Sequence, residues 1–535
     1  MDDLSFNTLA THDALLLQQI QSVWHRQICK QLQVIQQSAE LRLNLVTRQV
    51  ILSGDVVVFV VEVSNIGLGM ARHVHLELLP HTAYQLVSNW VPVGDVASGQ
   101  TRRVQFSVQI NREVTLLVLA LEVRLHYIDA TSLTQIQDKQ FSARLLRAPS
   151  IFRFIPNPYR AGPPLCAGSQ TFVGREDDLA FIVRLLSSGQ AHLVITGQRR
   201  MGKTSLLRQL GVHLGHTHAA VFLDGQRLGL DPGLNGFFYD IACEICTSLN
   251  LDCPDFDLFD ERPAYAFEQI FLPEVLPSLQ HRSLLMLFDE VEELEWRVSR
   301  GKLDHDLFNM LRHIMQHHPQ LSFVFVGTHR IAELNPNYWS VMLNNALQYR
   351  IGHLPPASAL KLITEPVKGL LCYDDLALER LMRLVSGHPY FLQLYCQVLV
   401  DLANTEHRTY VLSDHIDAAL DRVFELGEGQ LVEVWQCSSP YEQHILKTMA
   451  ELCPPTTGAV NHSKLMAHLC EKSAHPDADE TTWTIALNQL ISHDILARAS
   501  NASGEAYTWK LGVLGLWIRD HCFHTLSHSV AGTNR

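Results

Sequence analysis

The sequence predicts a multidomain protein whose central α/β domain carries a parallel sheet, with an antiparallel β-sandwich before it and helical domains after it. Three observations lead to this fold class. Apolar runs alternate with helical patterns over residues 171–355, as a parallel sheet with crossover helices requires. Residues 41–147 instead alternate apolar and polar side chains with a period of two. Beyond residue 355 the periodicity is mostly helical.

Length and composition fit a cytoplasmic globular protein of several domains. The chain has 535 residues, of which 47% are hydrophobic and 18% charged. No run approaches 18 apolar residues without a charge, and the N-terminus has neither a basic nor an apolar signal region. The 11 cysteines are scattered, which is typical of reduced core cysteines. We therefore expect a cytoplasmic protein with no membrane span.

The N-terminal third divides into two units. Residues 1–40 are predicted to form an N-terminal helix, which either docks onto a partner chain or lies along its own chain. Residues 41–147 contain short alternating runs separated by turns, which indicates a sandwich of about seven strands. No catalytic constellation is visible there, so a spacer or a protein-binding module is the expected role.

The remaining units follow from proline content and periodicity. Residues 148–170 are rich in proline and glycine and are predicted to be a linker. Residues 171–355 form the α/β domain, and residues 356–431 form a helical lid with interruptions at its prolines. Residues 432–535 are predicted to hold three helices and two wing strands, which is the pattern of a winged helix.

A glycine-rich loop lies between an apolar strand and a helical pattern. Gly197 and Gly202 bracket the loop, and Lys203 and Thr204 follow it directly. Such glycines let backbone N–H groups face a phosphate chain, while the lysine reaches the β- and γ-phosphates and the threonine hydroxyl ligates Mg²⁺. The motif predicts a P-loop NTPase domain that binds ATP or ADP with Mg²⁺.

A second apolar strand ends in Asp289 and Glu290. Downstream of a P-loop, the first acid binds the Mg²⁺ shell and the second polarises the attacking water. We therefore predict Asp289 as a metal ligand together with Thr204, and Glu290 as a catalytic residue together with Lys203. The alternative interpretation is a strand followed by a solvated acidic helix start, since Glu292 and further acids continue the run.

A third apolar strand ends at Gly327 and is followed by Thr328, His329 and Arg330. Ligands bind at the carboxyl ends of parallel strands, and a forked, permanently charged arginine suits contact with a γ-phosphate. We therefore predict Arg330 as the third catalytic residue, with the register left open between His329 and Arg330. A surface arginine on the following turn is the alternative.

Four segments in this order resemble the STAND class of signalling ATPases, which is related to the origin-recognition-type branch of the AAA+ superfamily. They are Thr-Phe-Val-Gly-Arg-Glu at 171–176, the P-loop, Leu-Phe-Asp-Glu at 287–290, and Gly-His-Pro at 387–389. The resemblance covers about residues 155–525. Separately, Asn-Ile-Gly-Leu-Gly-Met-Ala at 65–71 resembles bacterial immunoglobulin-like adhesion-type modules.

The STAND resemblance implies further contacts with the nucleotide. Phe172 and Val173, with Arg175, would pack at the base, and Pro389 would contact the nucleotide. In some relatives a winged-helix histidine binds the diphosphate, which would correspond to the histidine of residues 492–494, although an ordinary partly buried histidine is the alternative. The predicted nucleotide-binding residues are Phe172, Val173, Gly197, Gln198, Arg199, Arg200, Met201, Gly202, Lys203, Thr204, Ser205 and Pro389.

The expected function is a STAND-type regulatory ATPase that switches conformation or forms a homo-oligomer with ATP, with partner proteins docking on the N-terminal helix and sandwich. The alternatives are an origin-recognition-like DNA-binding ATPase and a small-molecule P-loop kinase. The net charge of −13 disfavours nucleic acid, and residues 437–535 hold seven Lys/Arg and nine Asp/Glu, for a formal charge of −2. The predicted third helix of the winged helix, 481–491, contains no cation.

Overall fold

The molecule is represented by a computed structural model. It describes residues 20–28, 38–52, 56–111, 118–129, 134–149, 151–166, 168–188, 192–228, 233–328, 346–453, 458–471, 478–501 and 504–529. Within these residues no helix has the length and apolar content needed to cross a bilayer. Of the predicted N-terminal helix, residues 20–28 are helical and residues 38–40 are not, while the rest lies outside the described residues.

Nine strands are described between residues 41 and 146, more than the seven expected from the sequence. The fifth strand is very short, and the side chains of the long ninth strand are mostly exposed and polar. The strands are β1 (Leu41–Leu45), β2 (Gln49–Ile51), β3 (Val56–Asn65), β4 (Ala71–Leu78), β5 (Tyr84–Leu86), β6 (Trp90–Val96), β7 (Thr101–Ile110), β8 (Val118–Ile128) and β9 (Thr134–Leu146).

These strands form two sheets, with the orders β1-β3-β7-β5 and β2-β9-β8-β4-β6. Neighbouring strands pair antiparallel, except that β2 and β9 pair in parallel, which the sequence did not predict. Both sheets contribute to one apolar core, which includes Phe59, Leu76, Phe106 and Leu121. The buried side chain of Asn65 donates to the carbonyls of Gly69 and Val96 at 2.8 and 2.9 Å, and thereby holds the turn between β3 and β4.

A five-stranded parallel sheet forms the centre of the chain, in the order β11-β12-β13-β10-β14. The predicted parallel α/β domain is therefore confirmed. Side chains alternate between two apolar cores, so that Leu193 and Ile195 face one side of the sheet and Val194 the other. The strands are β10 (His192–Thr196), β11 (His218–Asp224), β12 (Ser283–Asp289), β13 (Leu321–Gly327) and β14 (Leu347–Arg350).

Helices contribute to the cores on both sides of this sheet. The core of one face includes α1 (Glu176–Ser187) and α2 (Lys203–His213). The core of the other face includes α3 (Leu234–Leu249), α4 (Glu292–Ser299), α5 (Leu307–His317) and short helical turns between residues 256 and 279. The carboxyl ends of β10, β13 and β12 lie side by side, because these strands are neighbours in the sheet.

The region after the sheet is helical, with one short parallel pair of strands, β15 (Cys372–Tyr373) and β16 (Tyr410–Val411). The sequence predicted an interruption at Pro389, but this residue is the first residue of α8. Proline is tolerated there because the first helical turn needs no partner for the missing N–H. The helices are α6 (Pro356–Thr364), α7 (Asp375–Val385), α8 (Pro389–Thr405), α9 (Ser413–Ala418) and α10 (Leu420–Cys437).

The C-terminal part combines four helices with a three-stranded sheet in the order β17-β19-β18. The predicted boundary between residues 431 and 432 falls inside α10, and the first interruption of helix after it comes at Ser438–Ser439. Ser439 and Glu442 form a capping box that starts the next helix. The elements are α11 (Pro440–Leu452), β17 (Val460–Asn461), α12 (His462–Glu471), α13 (Glu480–Ser492), β18 (Leu496–Asn501), β19 (Gly504–Trp509) and α14 (Gly512–Ser529).

The predicted linker is a docked segment. We call residues 155–165 the strap, and it packs along α8 without regular secondary structure. Ile155 and Tyr159 are 1% and 2% exposed, and both belong to the core of the helical region. The Tyr159 hydroxyl donates to the carbonyl of Ile363 at 2.7 Å, and Asn157 Nδ2 donates to Asp401 Oδ1 at 2.8 Å. Proline content signalled irregular backbone, but not this packing.

The N-terminal sheets contact the helical region through α7. The carboxylate of Asp375 accepts hydrogen bonds from the backbone N–H groups of Arg48 and Gln49, both at 2.7 Å. Arg103 forms an ion pair with Glu379 at 2.6 Å, one turn further along the same helix. The first two turns of α7 therefore carry the contact between the two regions.

Candidate functional site

The P-loop connects β10 to α2 and has the backbone that its glycines predict. Gly202 has a φ of 86°, in the left-handed region that glycine tolerates best. At Gly197 a Cβ atom would lie 2.4 Å from the carbonyl oxygen of Ile351, so only glycine fits beside β14. Arg200 also has a positive φ of 64°, which curls the loop between the two glycines. The loop therefore folds toward the N-terminus of α2, where anions bind.

Lys203 lies at the floor of this loop and is 9% exposed. Its ammonium donates to the carbonyls of Gly197 and Gln198, both at 2.7 Å. Burial lowers the pKa of Lys203 to about 8, against the opposing effect of nearby carboxylates. The ammonium is thus poorly solvated, and an incoming phosphate would supply a negative charge that stabilises it.

Thr204 and Asp289 form a pair of oxygen ligands. The Thr204 hydroxyl donates to Asp289 Oδ2 at 2.6 Å, across the gap between α2 and the end of β12. Burial raises the pKa of Asp289, because the carboxylate has lost water that would stabilise its charge. A hard cation would replace that stabilisation, and hydroxyl and carboxylate oxygens are ligands that Mg²⁺ prefers. The two residues therefore fit a Mg²⁺ site.

Glu290 follows Asp289 with a φ of 49°, which is unusual for a residue with a side chain. Its carboxylate accepts a hydrogen bond from the side-chain amide of Gln226 and lies 3.9 Å from the Arg199 guanidinium. Burial raises the pKa of Glu290, and the hydrogen bond from Gln226 opposes this. The strained backbone points to a functional constraint at this position.

Two P-loop arginines make contacts beyond the loop. Arg199 forms an ion pair with Glu433 of α10 at 2.6 Å, and this hydrogen bond is the main reason that the pKa of Arg199 is raised. Arg200 donates to the carbonyl of Gly162 in the strap at 2.8 Å and lies over the ring of Tyr390. The loop therefore touches both the strap and the helical region.

A cavity of about 340 Å³ lies between these parts, and we call it the central cavity. Its walls come from the strap, the P-loop, the ends of β12 and β13, and the helical region. The lining residues are 160–165, Arg199, Arg200, 202–205, Asp289, Glu290, Glu292, Gly327, Thr328, Pro389, Tyr390, Gln393 and Glu433.

The structure brings most predicted site residues together, but not all. Lys203, Thr204, Asp289, Glu290 and Pro389 line the cavity, as do Arg199, Arg200, Gly202 and Ser205. Met201 does not, because its side chain is 1% exposed and packs into the apolar core of α1 and α2. Gly197 and Gln198 lie at the loop with their carbonyls turned to Lys203. His329 and Arg330 lie outside the described residues.

The residues expected at the base are not among those that line the central cavity. Phe172 and Val173 are absent from the cavity lining and pack against the α1–α2 core and the helical-region core, respectively. Arg175 is buried and donates to the carbonyls of Met201 and Gly352 at 3.0 and 2.6 Å. Arg175 therefore links the P-loop to the segment that follows β14. Base contact by Phe172 and Val173 stays a prediction.

The segment with the candidate winged-helix histidine lies at the end of β14. Asp494 forms ion pairs with Arg350 and with Lys510, both at 2.7 Å. Arg350 also donates to the backbone carbonyl of Ser492. None of residues 492–494 is among those that line the central cavity. This segment fastens the C-terminal part to the central sheet.

Several cavity residues were missed or assigned to a bland role in the sequence. Gln393 and Glu433 come from segments with no motif, Tyr390 directly follows the Gly-His-Pro segment, and no role at the site was predicted for the strap. Glu292 was interpreted as part of a solvated acidic run, yet it lines the cavity and accepts hydrogen bonds from Thr328. The only sequence signal for it was its position two residues after the strand-end acids.

Comparisons with known proteins agree with this geometry at the level of one domain. Residues 185–334 match the family model described as an AAA domain. No curated protein matches the chain. Similar solved structures include Aeropyrum pernix ORC2 (15% identity, 69% of this chain and 97% of that one, TM-score 0.45). Drosophila ORC bound to DNA has 14% identity over 70% of this chain and 96% of that one, with a TM-score of 0.36.

The Thermotoga maritima RuvB branch migration motor has 16% identity over 65% of this chain and 95% of that one, with a TM-score of 0.33. At these identities and scores the solved structures carry no conclusion about what this chain binds. The domain match rests on residues that include the P-loop and the acidic end of β12. Both the match and the parallel sheet thus show that this part of the chain is similar to an AAA domain with a P-loop.

Proposed function

We propose that this protein is a STAND-type regulatory ATPase, which binds ATP or ADP with Mg²⁺ and switches conformation or assembly with the nucleotide. The observation that carries the proposal is the make-up of the central cavity, whose walls come from the P-loop, the strap and the helical region. A nucleotide there would touch all three. Since a γ-phosphate adds contacts in one state only, nucleotide identity would bias their arrangement.

We assign the roles of the site residues from their positions in this cavity. Lys203 would turn from the carbonyls of Gly197 and Gln198 to the phosphates, and Thr204 and Asp289 would hold Mg²⁺, which neutralises phosphate charge. Glu290 would orient the attacking water. Arg330, with His329 as the alternative, remains our proposal for the γ-phosphate contact.

We further propose that residues 41–147 form an immunoglobulin-like sandwich that docks partner proteins, together with the N-terminal helix. The two sheets over one core support this proposal. The contacts of Asp375 and Glu379 with this module also matter, because they lie on the helical region that forms one wall of the cavity. A movement of that region would therefore carry the module with it.

We propose that residues 438–529 form a winged helix that makes intramolecular or protein contacts. The ion pair between Asp494 and Arg350 supports this, since it holds the unit against β14. In α13, which has no Lys or Arg, Asn488 Oδ1 accepts a hydrogen bond from Arg498 at 2.7 Å. The rival proposal, an origin-recognition-like DNA-binding ATPase, needs cations on phosphates and free polar groups at base edges.

The test is the mass of the purified protein with ADP and with a non-hydrolysable ATP analogue, with Lys203→Ala and Glu290→Gln variants alongside. We expect an ATP-dependent assembly that Lys203→Ala abolishes and Glu290→Gln prolongs with ATP. A monomer indifferent to nucleotide would contradict self-assembly. Salt-dependent binding of duplex DNA would instead support the rival proposal.

A further inference from the structure

Glu292 occupies a position in the central cavity that neither Mg²⁺ binding nor water activation requires. It is the first residue of α4 and lies beside the end of β13. Its Oε1 atom accepts hydrogen bonds from the Thr328 backbone N–H at 3.1 Å and from the Thr328 hydroxyl at 2.7 Å. A hydroxyl has one proton to donate, so this contact commits the Thr328 proton to Glu292.

The other carboxylate oxygen of Glu292 is buried and has no hydrogen-bond partner among the described residues. It lies against Gly327, where an added Cβ would come within 2.7 Å of it. A side chain at the end of strand β13 would therefore force this carboxylate to shift. Burying an unpaired carboxylate oxygen is unfavourable, which points to a function rather than to stability.

Glu292 also acts on the P-loop lysine. Burial lowers the pKa of Lys203, and among the acids that oppose this shift Glu292 has the largest effect, ahead of Asp289 and Glu290. Glu292, Lys203 and Thr328 all line the central cavity. A carboxylate in this position places a negative charge where a phosphate chain would approach.

We propose that Glu292 sets the preference between nucleoside triphosphate and diphosphate by competing with the γ-phosphate for the Thr328 hydroxyl. This inference rests on the proposed nucleotide binding. Thr328 follows the end of β13, beside the P-loop strand, so a terminal phosphate held by Lys203 comes within its reach. A diphosphate lacks that acceptor, and its affinity is independent of the competition. Glu292 is a positioning residue, since it acts through Thr328.

The test compares the affinities of a non-hydrolysable ATP analogue and of ADP, with Mg²⁺, by titration calorimetry. In Glu292→Gln an uncharged amide oxygen takes the place of Oε1, and it is a weaker acceptor for the Thr328 hydroxyl than a carboxylate, so the hydroxyl proton is released more readily to a phosphate. We expect the triphosphate-to-diphosphate affinity ratio to rise about tenfold, the effect of one hydrogen bond to a charged acceptor. The matched control is Glu293→Gln, which removes the same charge from the next residue, outside the cavity lining.

A Thr328→Val background separates hydroxyl competition from simple charge repulsion. There we expect Glu292→Gln to leave the ratio unchanged. A gain that persists without the hydroxyl, or an equal gain in Glu293→Gln, would overturn the proposed mechanism. An unchanged ratio in Glu292→Gln, with both nucleotides bound, would overturn the role of Glu292 alone. A wild-type protein that binds neither nucleotide would overturn the proposed function as well.

Discussion

The P-loop side of the central cavity comes from consecutive residues, 197–205, whereas the opposite wall comes from the strap, the start of α8 and the end of α10. On the P-loop side, Lys203 is held by carbonyls five and six positions before it. On the opposite wall, Arg199 meets Glu433, which lies 234 positions away. The first side is built by local backbone geometry, and the second by long-range packing. The groups proposed to contact phosphate thus come from local structure, whereas the groups that connect the cavity to the rest of the molecule come from long-range packing.

Replacing Lys203 changes only the P-loop side of the cavity, and it should have the largest effect on nucleotide affinity. We expect Lys203→Ala to weaken nucleotide binding about 100-fold, because a buried charge that contacts phosphate is lost. Folding should survive, since the partners that the lysine has among the described residues are carbonyls of its own loop. Titration calorimetry with ADP and Mg²⁺ measures this. Arg208→Ala, on the exposed face of the same helix, is the control, and equal losses in both variants would contradict a specific role.

Replacing Tyr159 attacks the opposite wall without touching the P-loop. The side chain is 2% exposed and bonds to Ile363, so Tyr159→Ala should cost about 3 kcal/mol of unfolding free energy. We expect the strap to become susceptible to proteolysis. Nucleotide affinity should fall about tenfold, because ordering the loosened strap would cost roughly 1.4 kcal/mol of the binding free energy. Tyr265→Ala, at a side chain that is 55% exposed, is the control. Unchanged affinity with a cleaved strap would show that the P-loop side suffices.

The pH dependence of nucleotide binding tests the contribution of the P-loop side, because Lys203 titrates near neutral pH. Burial lowers the pKa of Lys203 to about 8 in the free protein, so the ammonium is charged below pH 8 and neutral above it. A bound phosphate favours the charged form, and affinity should therefore be full at low pH and fall as pH rises. We expect about a tenfold loss between pH 7 and 9. Lys203→Arg, which does not titrate in this range, should give a flat profile, and an equal loss there would exclude Lys203 as the cause.

The ion pair between Arg199 and Glu433 gives the smallest predicted effect. Its side chains are 50% and 32% exposed, so the pair contributes little to stability. We expect Glu433→Gln to tighten nucleotide binding about threefold, because Arg199 is freed and a carboxylate leaves the cavity. Glu428→Gln, on the same helix but outside the lining, should change nothing. Weaker binding in Glu433→Gln would show that the carboxylate helps to hold the nucleotide.

Sequence reasoning predicted the structure correctly where that structure depends on residues that are near neighbours in the chain. The strand–loop–helix around Gly202 and Lys203 needed no other part of the chain, and the apolar run before Asp289 marked a buried strand of the parallel sheet. It failed where neighbours in sequence did not decide the packing. The strap was taken for a linker, and the parallel pair of β2 and β9 had no pattern of its own.

Phe172 and Val173, for which base contact stays a prediction, show how packing acts on residues of a motif. Phe172 and Val173 follow a motif, but their side chains face two apolar cores, because each is a hydrophobic group beside a larger buried surface. Glu292 shows the reverse. An acidic run is ordinarily solvated, and only the meeting of α4 with the end of β13 brings this carboxylate to Thr328.

By itself the sequence determined the parallel sheet and the strand–loop–helix of the P-loop, and it placed two acids at the end of a strand, since each depends on periodicity or on spacing over a few residues. Only the tertiary structure decided which distant groups close the cavity. Glu433, Tyr390 and the strap reach the P-loop because one apolar core draws α8, α10 and the strap together. Burial of apolar surface is non-directional, so no local pattern records which polar groups it will place side by side.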